Sequence, residues 1–191
     1  MNRRSYLKSI AILSGVGALS FSIFKGFELT KPFNINDLSD QRLLIAELVE
    51  IIIPETDTPG AKAAMVHDYV INVMINCNSA KQQRKFLSGL EDLEDYSQDN
   101  YKKEFLKCSA SEKYAIVKYF SEHTGYSYKI LNKIDNKLFG APFYTKLRQL
   151  TVEGFCQSQL GATRALAYDY IPQTFEACIP IKPNQKSWAT K

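Results

Sequence analysis

Apolar residues recur at helical spacing through most of the chain, and this periodicity is the feature that most limits its fold. One such run, Leu43 to Ile52, stops just before Pro54, which cannot continue a helix. Another extends from Tyr69 to Ile75. No segment shows the alternation of apolar and polar residues that is typical of a half-buried strand. The sequence therefore predicts an all-α fold, a compact bundle of about five to seven helices.

Side chains that cap helices precede several of these runs. Asp37 and Ser39 lie before the first run, Asp68 before the second, and Ser79 before a longer run around Phe86–Leu93. Residues 109–112, Ser-Ala-Ser-Glu, have the spacing of a capping box. We expect a helix to begin at each of these positions.

The C-terminal part of the sequence predicts two more helices and then a change of character. The helices are expected at about residues 142–156 and 162–168. Pro172, Pro180 and Pro183 follow them. Because proline removes a backbone donor and fixes φ, these residues predict an irregular, proline-rich tail.

The chain opens with a charged segment, N-R-R-S-Y-L-K at residues 2–8, followed by apolar residues diluted by serine and glycine up to residue 24. A spanning helix needs about 20 apolar residues, so the run fits the core of a signal peptide better. Arg3 and Arg4 form the twin-arginine pair of a Tat signal. A Sec signal, an uncleaved anchor ending at Lys25 and a buried helix are the alternatives. We therefore predict a Tat-type signal or anchor at 1–27, a linker at 28–37 and a helical domain at 38–191.

The positive net charge comes from the N-terminus. Four of the 24 basic residues lie before Glu28, which leaves 20 basic residues against 20 acidic ones in the rest of the chain. A nucleic-acid binder usually carries a basic stripe that neutralises phosphates. The neutral body therefore argues against nucleic acid as a partner.

The sequence is poor in catalytic and cofactor motifs. It has only two histidines, and it has no dinucleotide fingerprint, P-loop, nucleophile elbow or C-x-x-C-H haem motif. His67-Asp68 could be an acid–base pair, but a helix N-terminus explains the two residues more simply. Glu55 and Asp57 could bind a cation, but calcium loops supply more carboxylates at regular spacing, and local hydrogen bonds explain the loop P-E-T-D-T-P-G-A better. We therefore assign no catalytic, cofactor-binding or metal-binding residue to this chain.

Four cysteines remain, and their pairing is open. Cys108 and Cys156 adjoin apolar helical positions and are expected to be buried thiols. Cys77 ends a helix and Cys178 lies in the tail, so a disulfide between them would fix the tail. A bridge from Cys178 to a partner chain is the alternative.

Aromatic residues in the proline-rich tail are candidates for a partner interface. Phe175 and Trp188 lie beside prolines, where exposed rings can act as interface anchors. Cys178 and Arg164 complete this predicted interface. Arg164 could instead pair with Asp169 within the chain.

Several motifs together are similar to one known family. They are residues 52–64 (I-I-P-E-T-D-T-P-G-A-K-A-A), 86–93 (F-L-S-G-L-E-D-L), 150–169 (L-T-V-E-G-F-C-Q-S-Q-L-G-A-T-R-A-L-A-Y-D) and 178–189 (C-I-P-I-K-P-N-Q-K-S-W-A). The chain resembles the gluconate 2-dehydrogenase subunit 3 family over about residues 38–189. It departs from the family pattern at His67, where proline is expected after Val66, and at Phe155-Cys156, where the family has Tyr-Phe.

The resemblance implies a non-catalytic small subunit of a membrane-associated flavin dehydrogenase. In such complexes a flavoprotein of the GMC type, which holds FAD, oxidises a sugar, a sugar acid or a related alcohol. A cytochrome c subunit or another carrier accepts the electrons. The small subunit supports the folding and export of the large one, here through the Tat translocase to the periplasm.

Two other functions are compatible with the sequence. The chain could be a free-standing exported binding module without an oxidoreductase partner. It could also be an enzyme with an unrecognised site near His67 and Asp68.

Overall fold

The computed structural model describes residues 34–124, 140–171, 178, 180, 181 and 183–189. These residues form six α-helices, and the part described contains no strand. The prediction of an all-α fold is confirmed. The helices are α1 (Ile35–Asp40), α2 (Arg42–Ile52), α3 (Val66–Cys77), α4 (Ala80–Tyr101), α5 (Ala110–Glu122) and α6 (Phe143–Gln157).

Helix α6 lies at the centre of the packing. It contacts α2, α3, α4 and α5, and its contact with α3 is the most extensive. Its buried side chains recur at helical spacing, so one face of the helix is directed into the core. The largest of them are Phe143, Leu147, Leu150 and Phe155.

Helix α4 packs closely against α6 through Gly89 and Phe86. A Cβ atom at Gly89 would collide with the Cβ and Cγ atoms of Phe143. The Phe86 and Phe143 rings meet edge to face, with centroids 5.1 Å apart. The glycine is therefore needed for the close approach of these two helices.

The predicted caps of α4 and α5 are confirmed. The Ser79 side chain accepts the N–H of Gln82 at the start of α4. At α5 the full capping box forms, because Ser109 accepts the N–H of Glu112 and Glu112 in turn accepts the N–H of Ser109.

The expected caps near the first helices are wrong. Asp37 and Ser39 lie inside α1, which begins at Ile35 within the predicted linker. Asp68 lies in the first turn of α3, because Met65 adopts a left-handed conformation (φ 58°) and the helix already begins at Val66. An acidic side chain in that turn still interacts favourably with the positive end of the helix dipole.

After α6 the chain forms a π-helical turn at Gly161–Ala165, where the sequence predicts a longer helix to residue 168. Ala167 then pairs with Trp188 in an isolated parallel bridge. The Ala167 N–H donates to the Ser187 carbonyl and the Ala189 N–H donates to the Ala167 carbonyl, both at 2.8 Å. The tail therefore returns to the end of the helical body.

Candidate functional site

The His67-Asp68 pair lies against the start of α2. Arg42 Nε and Nη2 donate to the two Asp68 carboxylate oxygens at 2.7 and 2.8 Å. This two-point contact lowers the pKa of Asp68 and raises that of Arg42. Because both Asp68 carboxylate oxygens bind Arg42, this ion pair joins α2 to α3.

His67 is poorly placed for acid–base chemistry. It is 4% exposed, and its Nδ1 atom has no hydrogen-bond partner. Nε2 lies 3.7 Å from Asp68 Oδ1, which is too long for a hydrogen bond. Burial lowers the pKa of His67, and a substrate cannot reach a ring so well covered. The geometry therefore gives no support to an enzyme site at His67 and Asp68.

The P-E-T-D-T-P-G-A loop connects α2 to α3, and a carboxylate from α2 fixes its course. Glu50 Oε1 accepts the N–H of Glu55, and Oε2 accepts the N–H of Lys62, both at 2.8 Å. A Cβ atom at Gly60 would collide with the same carboxylate. The loop therefore depends on a small residue at this position.

Glu55 and Asp57, the two candidate cation ligands, are exposed on this loop. Within the described residues, no group of three or more His, Cys, Asp or Glu side chains could hold a metal ion. Glu50 is the carboxylate that turns inward here, and backbone N–H groups occupy both of its oxygens. The arrangement is that of a loop held by hydrogen bonds.

A second carboxylate, Glu47, joins three parts of the structure. Lys62 after the loop donates to Glu47 Oε1, and Lys113 of α5 donates to Oε2 at 2.9 Å. These two hydrogen bonds lower the pKa of Glu47. Sequence reasoning missed Arg42, Glu47 and Glu50, because their partners lie between 5 and 66 positions away along the chain.

The cysteines differ from one another in exposure. Cys108 is buried as expected, with its sulfur 3.2 Å from Ser97 Oγ. Cys156 is exposed, so the expectation that it is buried is wrong; α6 directs the adjacent Phe155 inward. Cys77 and Cys178 are both exposed and free. The bridge between them is not formed in the structure, and their pairing stays a prediction.

The residues predicted to meet a partner are only partly described. Trp188 is 50% exposed, and Arg164 and Cys178 are exposed as well. Phe175, and the signal residues Arg3 and Arg4, lie outside the described residues. The structure adds Tyr168, Tyr170 and Ile171, which are exposed close to the bridge at Ala167.

None of the helices in the described ranges is both long and apolar enough to cross a membrane. The Arg42 and Glu50 side chains bind a neighbouring helix and a loop, and the His67 ring is buried. The described residues thus define a small helical domain whose polar contacts connect its helices and loops.

Comparison with known families gives a narrower assignment. The model of the family described as gluconate 2-dehydrogenase subunit 3 matches residues 39–172, more than two thirds of the chain. The chain belongs to the gluconate 2-dehydrogenase subunit 3 family. A search of curated proteins and a search of solved structures found no match.

Proposed function

We propose that this chain is the non-catalytic small subunit of a flavin-dependent dehydrogenase, and that it supports the folding, stability and export of the catalytic subunit. Membership of the gluconate 2-dehydrogenase subunit 3 family carries the proposal, because the family name denotes one subunit of a dehydrogenase complex. The buried position of His67 is consistent with a role outside catalysis.

The partner in this proposal is a GMC-type flavoprotein that holds FAD and oxidises a sugar, a sugar acid or a related alcohol. A cytochrome c subunit is a further candidate member of the complex. The flavin chemistry belongs to the partner, since this sequence has no dinucleotide fingerprint.

Export is the second part of the proposal. The segment N-R-R-S-Y-L-K supports the Tat route, which carries proteins that have already folded. In this proposal the small subunit binds the catalytic subunit in the cytoplasm. It then carries the catalytic subunit, which has no signal of its own, to the periplasm. The complex is membrane-associated in this proposal.

Co-expression with the flavoprotein tests the proposal. Wild-type protein should form a stable complex, and cell fractionation should find both chains in the periplasm. The double variant Arg3→Lys, Arg4→Lys should retain both chains in the cytoplasm, although it keeps the charge of the segment. Lys25→Gln is the matched control, because it changes a charge of the same segment outside the twin-arginine motif.

Two results would contradict the proposal. One is a flavoprotein that reaches the periplasm when the double variant is retained, which would exclude the escort mechanism. The other is a flavin or dehydrogenase activity that copurifies with this chain when it is expressed alone. A chain that forms no complex with the flavoprotein would favour a free-standing binding module.

A further inference from the structure

The exposed apolar side chains of the described residues are concentrated at the C-terminal end of the body. Eleven large hydrophobic residues are exposed in the described part of the chain, and five of them follow the π-helical turn. The other six are distributed over the remaining elements. Those five are Tyr168, Tyr170, Ile171, Ile181 and Trp188.

The backbone bridge joins the two chain segments that carry four of these side chains. Trp188 lies beside Ala167, and Tyr168, Tyr170 and Ile171 follow Ala167 within four residues. We call residues 166–171 and 183–189 the C-terminal strap. Tyr170 is 82% exposed and Ile171 is 66% exposed, so two of its largest apolar side chains lie mostly in water.

The strap is held in place before any partner arrives. In addition to the two backbone bonds at Ala167, Lys186 Nζ donates to the Arg164 carbonyl at 2.7 Å. Asp169 Oδ1 accepts the N–H of Ile171 at 3.3 Å. A surface that is already ordered loses less conformational entropy on binding, which favours affinity.

The composition of the strap suits a protein partner. Tyr168, Tyr170, Ile171 and Trp188 are each between 44% and 82% exposed, and large apolar side chains that are exposed near one another mark interaction sites. Tryptophan and tyrosine are the residue types enriched among interface hot spots. Arg164, two residues before the strap, is exposed and can face an acidic group of a partner.

We infer that the C-terminal strap is the surface that binds the catalytic subunit of the dehydrogenase, through an apolar face of that subunit with an acidic group at its edge. The inference rests on the proposed function, which supplies a larger partner that the chain must hold. An anionic lipid surface is the competing occupant, because Lys186 and Arg164 carry positive charge here, and the vesicle measurement below distinguishes it from the catalytic subunit.

Matched double variants test this surface in the full chain co-expressed with the GMC-type flavoprotein. Tyr170→Ser with Ile171→Ser alters the strap. Leu43→Ser with Tyr114→Ser is the control, since these residues are 65% and 62% exposed on α2 and α5. We expect the strap variant to recover at least tenfold less flavin in a pull-down, and the control to stay within twofold of wild type. Trp188→Ala should also weaken recovery, because it removes a ring and leaves the backbone bonds of the bridge in place.

Circular dichroism and thermal unfolding should give wild-type values for both double variants, because the strap lies outside the helical core. The inference is overturned if the strap variant recovers as much flavin as wild type, or if the control loses as much. It is also overturned if wild-type protein alone is a dimer that the strap variant makes monomeric, or if the strap residues are needed for flotation with phosphatidylglycerol vesicles. If wild type recovers no flavoprotein at all, the proposed function itself has failed.

Discussion

At the scale of single residues, Glu50 shows how one carboxylate fixes a loop rich in proline and threonine. It accepts N–H groups from both sides of the loop, those of Glu55 and Lys62. In Glu50→Gln one of these N–H groups would face an amide NH₂ group, which cannot accept a hydrogen bond. We expect the free energy of unfolding to fall by about 1–2 kcal/mol.

Hydrogen exchange checks the cause of this loss. The amides of Glu55 and Lys62 should exchange faster in Glu50→Gln, while amides within the helices keep their protection. Glu91→Gln, on the exposed side of α4, is the control, and we expect it to change stability by less than about 0.5 kcal/mol. Unchanged exchange at both loop amides would show that Glu50 does not hold the loop.

His67 predicts a pH dependence of stability. Burial lowers its pKa below the ordinary value of 6.5, while Asp68 raises it and Arg42 and Lys62 lower it to smaller extents. As the pH falls below about 6.5, the unfolded chain takes up a proton before the folded chain does. The free energy of unfolding must therefore decrease as the pH decreases through this range, by at most about 1.4 kcal/mol for each pH unit.

Denaturant unfolding at pH 7.5 and 5.5 measures this effect. His67→Leu should remove most of the loss, whereas His123→Gln should retain it, because His123 is exposed at the end of α5. The Asp68 carboxylate does not contribute to the difference between pH 7.5 and pH 5.5. Arg42 lowers its pKa below 3.8, so the stability that it provides is lost only at more acid pH. An equal pH dependence in wild type and His67→Leu would refute this role of His67.

At the scale of the helices, the sequence predicted the elements well where the relevant signal is local. Ser79 and the capping box at 109–112 act between residues three positions apart, and both caps form. Asp68 differs from its predicted role as a cap, because the left-handed Met65 starts the helix earlier and the Asp68 carboxylate binds Arg42 of another helix. Polar side chains with distant partners cannot be placed from a single sequence, and for this reason the Glu47 and Glu50 contacts were not foreseen.

The contact between α4 and α6 depends on the missing side chain of Gly89. Alanine favours a helix interior over glycine by about 1 kcal/mol, so helix propensity alone predicts that Gly89→Ala is stabilising. The added Cβ would instead meet Phe143. Overpacking of this kind costs about 1–3 kcal/mol, and we expect net destabilisation.

Chemical denaturation of Gly89→Ala and Ser88→Ala separates packing from propensity. Ser88 is the adjacent residue of α4 and is only partly buried, so its substitution should change stability by about 0.5 kcal/mol or less. A Gly89→Ala protein more stable than wild type would mean that α4 and α6 do not approach as closely as described.

At the scale of the whole molecule, the main question is how firmly the tail is tied to the helical body. In the described structure the connection includes the Ala167 bridge and the Lys186 contact, while Cys77 and Cys178 are exposed thiols. A disulfide between them would close a loop of about 100 residues and would stabilise the fold by at most about 5 kcal/mol. The predicted bridge therefore changes both the number of reactive thiols and the stability of the fold.

Thiol labelling of native protein measures that number. Reduced protein should label quickly at Cys77, Cys156 and Cys178, while Cys108 should label only after unfolding because it is buried. Oxidation in air should leave Cys156 as the one fast thiol if the bridge forms, and Cys77→Ser should then restore labelling at Cys178. Three fast thiols after oxidation would exclude the intrachain bridge. Protection of Cys178 only within the complex would indicate a disulfide bond to the partner chain. Labelling the free chain and the complex in parallel therefore distinguishes the two pairings that the sequence allows.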